Sequence, residues 1–153
     1  MVKLTDVVVT ERANLEALDC PVFDKPTVLP AATLKDSRVA LISSAGLMNR
    51  SDDNIHGGAA DYRTIDSRTR DRDLLMNHIS INFDRTGFAE DANCVLPRER
   101  LNEMAASGTI ARAADNHYAF MGATAPEPME PYVSALVATL KANNINTVCL
   151  LPV

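Results

Sequence analysis

The stretch "RVALISSAGL", residues 38–47, decides the fold. Val39 to Ile42 form a short apolar run, and Ser43, Ser44 and Gly46 then supply turn chemistry. This pattern predicts a buried strand that runs into a glycine-bearing loop.

Three further segments repeat the theme downstream. "LLMNHISINF", residues 74–83, reads as a strand of mixed burial, and "HYAFMG", residues 117–122, as a short strand ending on glycine. In "NTVCLLPV", residues 146–153, the run Thr147–Leu151 reads as a buried strand in which Cys149 is a small core residue. Two helices lie between these strands. The first enters at Pro97, places Leu101, Met104 and Ala105 on one face and stops at Gly108. The second begins near Glu130-Pro131 and spaces Val133, Leu136, Val137 and Leu140 as one apolar stripe. Its acidic residues come first and Lys141 last, as the helix dipole favours, and Asn143-Asn144 supply its closing turn.

Strands with continuous apolar runs, separated by helices and loops, define an α/β fold. The expectation is a mainly parallel sheet with flanking helices, a Rossmann-like three-layer arrangement over residues 38–153. Residues 1–37 read as an irregular and partly helical segment, with a short helix over 11–18 and Pro21, Pro26 and Pro30 as punctuation. The polar stretch from Met48 to Asp73 reads as a long surface loop, and "DRTGFAEDAN", residues 84–93, as another.

Composition narrows the function. The 153 residues suffice for one domain, and 46% hydrophobic with 23% charged residues is the balance of a soluble globular protein. A net charge of -5 leaves no basic face to displace counterions, which argues against a nucleic-acid partner. No apolar stretch is long enough to span a bilayer and the first residues lack a signal-peptide core, so the expectation is a cytoplasmic protein. Cys20, Cys94 and Cys149 have no metal-ligand spacing and read as free thiols.

In parallel sheets, chemistry gathers beyond the carboxyl ends of the strands. That rule selects Ser44 and Gly46, then His78 and Asp84, then Met121 and Gly122. His78 suits a proton transfer or a substrate carboxylate, against a plain hydrogen-bonded histidine at a strand end, and Asp84 suits a substrate ammonium or, equally, local backbone bonding in a turn. Ser44 and Gly46 offer hydroxyl and N–H groups to an anion, though a tight turn needs them just as much, and Met121 and Gly122 offer a pocket wall. His117 and Tyr118 read as wall or core rather than catalytic groups. His56-Gly57-Gly58 lacks the strand–turn–helix setting of a phosphate loop, and Arg63, Arg68, Arg70 and Arg72, set among aspartates, read as solvated surface. Cys94 precedes a helix, yet "NCVLP" reads as an apolar helix entry rather than a thiol site.

The blocks "ISSAGL", "DYRTI", "HISINFDRTGF", "NCVLPRERLNEMAASGTI", "HYAFMGA" and "NTVCLLPV" occur in this order. Together they resemble the selenoprotein B family of glycine, sarcosine, betaine and D-proline reductases, with the strongest likeness to the selenium-containing subunit of D-proline reductase. Residues before Arg38 carry none of this likeness, and "TIARAA" stands where such proteins usually have a glycine-rich turn.

The resemblance implies an oxidoreductase of amino-acid metabolism that reductively cleaves a C–N bond of an amino acid or related amine. It implies a selenocysteine immediately after Val153, and hence a chain that is truncated there, an incomplete domain, and inert by itself. It also implies a pyruvoyl group on a partner reductase subunit and a dithiol reductant. A sheet left with open sides favours a homo-oligomer. The competing expectation is a non-catalytic binding or assembly module on the same scaffold.

Overall fold

Strand β1, Arg38–Ser43, is the central strand of the computed structural model, which describes residues 3–17, 30, 32–80 and 85–153. Along one edge it pairs in parallel with β7, Thr147–Leu151, from Val39↔Thr147 to Ser43↔Leu151. Two strands share its other edge. Strand β5, Arg112–Ala113, pairs with its first half, and β6, Asn116–Phe120, pairs with its second half at Ile42↔Tyr118 and Ser43↔Ala119. Strand β3, Tyr62–Asp66, closes the far side antiparallel to β6. The sheet is therefore mostly parallel with one antiparallel edge.

Alternation along β1 builds the two cores on either side of it. Val39 and Leu41 face Leu96, Leu101 and Ile110, the layer contributed by helix α3, Arg98–Ala106, and its flanks. Ala40 faces Tyr118, Phe120, Leu136 and Leu140, the last two from helix α4, Glu130–Ala142. Helix, sheet and helix make the three-layer α/β fold that the sequence predicts. Gly108, at φ +71°, ends α3 in the left-handed conformation that suits glycine.

Four expectations need correction. The polar stretch 48–73 is not one loop: it holds β3 and most of β2, Leu47–Asn49. β3 escapes a hydrophobicity reading because only Ile65 along it is buried. Among the described residues of segment 74–83, the strand, β4, spans Leu74–Met76 and pairs antiparallel with β2 in a separate two-stranded sheet. Residues 81–84 lie outside the described residues. The loop after them contains a short helix, α2, Thr86–Glu90.

The third correction concerns β7, which is an exposed edge strand. Val148, Cys149 and Leu150 are all solvent-exposed, because only β1 pairs with β7 among the described residues and α4 lies over β1 and β6. Cys149 is thus not a core residue. The fourth concerns the helix stripes. Leu101, Leu136 and Leu140 are buried, but Met104, Val133 and Val137 are exposed.

The chain divides into two compact units, residues 1–30 and 31–153. In the first, helix α1, Val9–Glu16, stands near the short helix expected from the sequence. The Arg12 guanidinium donates to the carbonyls of Thr5 and Val7 at 2.8 and 2.9 Å, which ties the helix to the turn before it. Cys20, Pro21 and Pro26 lie outside the described residues.

Candidate functional site

The carboxyl ends of β1, β6 and β7 meet at Ser44. Its N–H donates to the Leu151 carbonyl at 3.1 Å, extending the β1–β7 ladder by one bond. Its carbonyl accepts from the Gly122 N–H at 2.9 Å, which joins the end of β6. Its hydroxyl accepts the Val153 N–H at 2.9 Å and donates to the Val153 carbonyl at 3.3 Å. One serine therefore fixes the backbone of three chain segments.

Glycine is obligatory at two positions around it. A Cβ on Gly122 would lie 2.7 Å from the Ser44 carbonyl oxygen and 2.8 Å from the Ser44 Cβ, so only a hydrogen fits. Gly46 has φ +63°, and a Cβ there would sit 3.1 Å from the Met121 methyl and 3.2 Å from the His78 backbone. The Gly46 N–H donates to Phe120 at 2.9 Å, and its carbonyl accepts from Asn77 at 3.0 Å. That second bond brings the His78 segment to the same end of the sheet, although β4 belongs to another sheet.

Five of the six residues selected from sequence are thus placed together: Ser44, Gly46, His78, Met121 and Gly122. Asp84 lies outside the described residues. Met121 is fully buried against Met48 and Ile55, so it supports the loop from beneath rather than facing solvent.

His78 is buried, and its Nδ1 accepts the Ser80 N–H at 3.2 Å, which leaves the ring proton of the neutral form on Nε2. Burial lowers its pKa and the neighbouring Arg85 guanidinium, which donates to the His78 carbonyl, lowers it further. The imidazole is therefore neutral near pH 7. Among the described residues no group of three or more His, Cys, Asp or Glu is arranged to hold a metal ion.

Beside these strand ends runs an apolar cleft of about 690 Å³ between α4 and β7. Ser44, Gly122 and Pro152 form its polar-backbone end, and Val133, Val137 and Leu150 its walls.

Other candidates resolve into structural roles. His117 is fully buried, and its Nδ1 accepts the Leu41 N–H at 3.1 Å, where the β5–β6 break leaves β1 without a ladder partner. Burial, with a smaller push from Arg98, lowers its pKa to about 4. Arg63, Arg68 and Arg70 pair with Asp61, Asp66 and Asp73 at 2.5, 2.7 and 2.6 Å. The Arg68 side chain and backbone together hold the Asp66 carboxyl far below the usual carboxylate range. His56 and Cys94 are exposed, in the loop after β2 and in the turn before α3.

Sequence reasoning missed Arg98. It is buried, and it donates to the carbonyls of Asp66 and Thr69 at 3.2 and 2.7 Å and to the Asp71 carboxylate at 2.5 Å. Its position directly after Pro97 looks like an exposed helix start, so no local signal marks it.

The fold defines an α/β protein in which the carboxyl ends of a mostly parallel sheet meet at Ser44. Residues 9–152 match the family described as glycine/sarcosine/betaine reductase selenoprotein B, so the likeness begins well before Arg38, where the sequence reading found none, and the chain belongs to that family. It is 30% identical over 139 residues to the glycine reductase complex component B subunit gamma of Carboxydothermus hydrogenoformans, covering 87% of this chain and 32% of that relative. It is 28% identical over 104 residues to the D-proline reductase subunit gamma of Acetoanaerobium sticklandii, covering 67% of this chain and 42% of that relative. The chain therefore spans less than half the length of these curated relatives. No solved structure matches it significantly. No described helix is long and apolar enough to cross a membrane.

Proposed function

We propose that this chain is the N-terminal scaffold of a selenoprotein B-type reductase subunit acting on a small amino acid or related amine. The observation that carries the reading is the Ser44 clamp: both backbone polar groups of Val153 are bonded to one hydroxyl at the carboxyl edge of the sheet. In this family likeness, a selenocysteine beyond Val153 supplies the nucleophile for reductive C–N cleavage, with a pyruvoyl group on a partner subunit activating the amine.

The chain's own residues do the holding. Ser44 and Gly122 fix the backbone that leads to the nucleophile, so its position is set before substrate arrives. His78, neutral and with its ring proton on Nε2, orients a substrate carboxylate by donating to it. Asp84 pairs with the substrate ammonium. Neither described cysteine substitutes for a selenolate: Cys94 precedes α3, remote in sequence from these strand ends, and Cys149 lies mid-strand on β7. The reductant is a dithiol, and the purified 153-residue chain is inert.

The test reads the gene beyond the codon for Val153. The expected result is UGA followed in frame by codons for Pro, any residue, Cys and His. A UAA or UAG with no open frame beyond it sinks the reductase reading. The exposed apolar cleft then favours the second reading, a non-catalytic assembly module on the same scaffold.

A further inference from the structure

Helix α2 is only five residues long, yet it anchors a cation that reaches the candidate site. Phe88 packs against the core cluster that holds Leu96 and Leu101, which seats the helix. Arg85 stands directly before it, and the Arg85 carbonyl accepts the Ala89 N–H at 3.1 Å. With its backbone fixed in this way, Arg85 sends its side chain back to the segment His78–Ser80. One nitrogen, Nη2, donates to the His78 carbonyl at 2.5 Å and to the Ser80 carbonyl at 3.3 Å. A guanidinium Nη2 carries two N–H groups in one plane, enough for one bond to each carbonyl.

The same segment is closed from within. The Ser80 N–H donates to Nδ1 of the His78 ring at 3.2 Å, two residues back. On the other side, the Asn77 N–H donates to the Gly46 carbonyl at 3.0 Å and its side-chain amide to the Ile55 carbonyl at 2.9 Å. His78 is therefore tied down before its Cα by Asn77 and after it by Arg85. No strand ladder reaches this stretch, since β4 ends at Met76. These bonds replace one.

A neutral imidazole has two tautomers, and the hydrogen bond made by one nitrogen decides where the proton sits on the other. We infer that Arg85 is a positioning residue for His78. By gathering the His78 and Ser80 carbonyls it holds the Ser80 N–H against Nδ1, and this commits the ring to carrying its proton on Nε2. The ring then presents a donor, which selects a ligand atom with a lone pair, such as a carboxylate oxygen, over an ammonium group. That consequence for ligand choice rests on the proposed role of His78 toward a substrate carboxylate; the tautomer lock does not.

The experiment uses the intact 153-residue chain, labelled with nitrogen-15, at pH 7 and without substrate. Long-range proton–nitrogen spectra report which ring nitrogen of each histidine carries the proton. The unsubstituted chain is expected to show the His78 proton on Nε2 alone. In Arg85→Gln the signal should move toward the average of the two tautomers, and exchange of the Ser80 amide should quicken by about tenfold or more. Arg85→Lys restores a cation with several N–H groups and should recover most of the His78 signal. His117 is the internal control: its Nδ1 accepts from Leu41, so neither variant should move its signal. An unchanged His78 tautomer in Arg85→Gln overturns the inference. So does a change that spreads to His117 and the amides of β1, which would make Arg85 a prop of the whole fold. Failure of Arg85→Lys to recover the signal overturns it too, because donation to the two carbonyls would then not be the cause. None of these readouts involves a reaction, so failure here leaves the reductase reading standing, and a UAA or UAG after Val153 leaves the tautomer result standing.

Discussion

The Leu41 N–H donates to Nδ1 of His117 at 3.1 Å, across the gap where β5 hands over to β6 on the edge of β1. A backbone amide in the middle of a sheet would otherwise be buried without an acceptor, at a cost of about 1 to 3 kcal/mol. The neutral imidazole fills the role of a missing strand carbonyl.

This bond sets a pH dependence of stability. His117 titrates near 4 in the folded chain, against 6.5 for an unperturbed histidine, chiefly because burial disfavours the charged ring. As pH falls below 6.5, the unfolded chain takes up the proton first. The contribution of neutral His117 is therefore complete above about pH 6.5 and declines toward pH 4, by an amount on the order of 3 kcal/mol. Urea unfolding of His117→Asn, whose amide oxygen still accepts from Leu41, should show a flatter pH profile in that window. An unchanged slope would refute the assignment. His117→Leu should cost more at pH 7 than His117→Asn, because it leaves the Leu41 amide unpaired.

Gly122→Ala should destabilise the fold by about 1 to 3 kcal/mol, the usual cost of overpacking. The clash is with the Ser44 backbone, which cannot rotate away as a long side chain can. Thermal unfolding measures the loss, and amide exchange at Ser44 and Val153 should accelerate with it. A shift in midpoint without faster exchange there would place the strain elsewhere.

Ser44→Ala removes the hydroxyl but leaves the Ser44 N–H to Leu151 bond in place. The expected loss is about 1 kcal/mol or less, because these atoms lie at the exposed end of the sheet. The sharper readout is local: the Val153 amide should exchange faster while amides of Leu41 and Ile42 keep their protection. Uniform acceleration throughout β1 would mean that Ser44 acts on the whole sheet.

Arg98→Ala strands the Asp66 and Thr69 carbonyls and the Asp71 carboxylate together. The expected cost is about 2 to 3 kcal/mol, from charge-assisted bonds made in a buried setting. Asp71→Asn should cost less than about 1 kcal/mol, since that carboxylate is about half exposed. A double-mutant cycle with Arg98→Ala separates the pair from the carbonyl bonds. Equal losses from the two single substitutions would contradict the present account.

The core layers were legible in the sequence because their signals are local and redundant. β1 and α4 each combine an apolar run or stripe with turn chemistry at one end, and the rule about carboxyl ends of strands gathered Ser44, Gly46, His78 and Gly122 before any coordinates. The weaknesses have physical causes. β3 buries only Ile65, and β5 is two residues long, so neither leaves a hydrophobic signature. The run in β7 has the composition of a buried strand, but whether it is buried depends on what lies beside it, which local sequence does not encode. His117 and Arg98 act through partners 76 and 32 residues away, and nothing near either residue announces the partner.

The register between β1 and β7 has a consequence for how the molecule is made. Val39 pairs with Thr147, 108 residues later, and the strands on the other edge of β1 begin at Arg112. At about 5 to 20 residues per second, the ribosome extends the chain for roughly 5 to 20 s between these two positions. Until Arg112 is made the central strand exists with neither neighbour on its edges, and until Thr147 is made one edge stays open. Limited proteolysis of stalled nascent chains should find Arg38 protected only once residue 151 has cleared the exit tunnel. The central strand of the sheet is thus the one that waits longest, and the newborn chain needs shelter before β7 arrives.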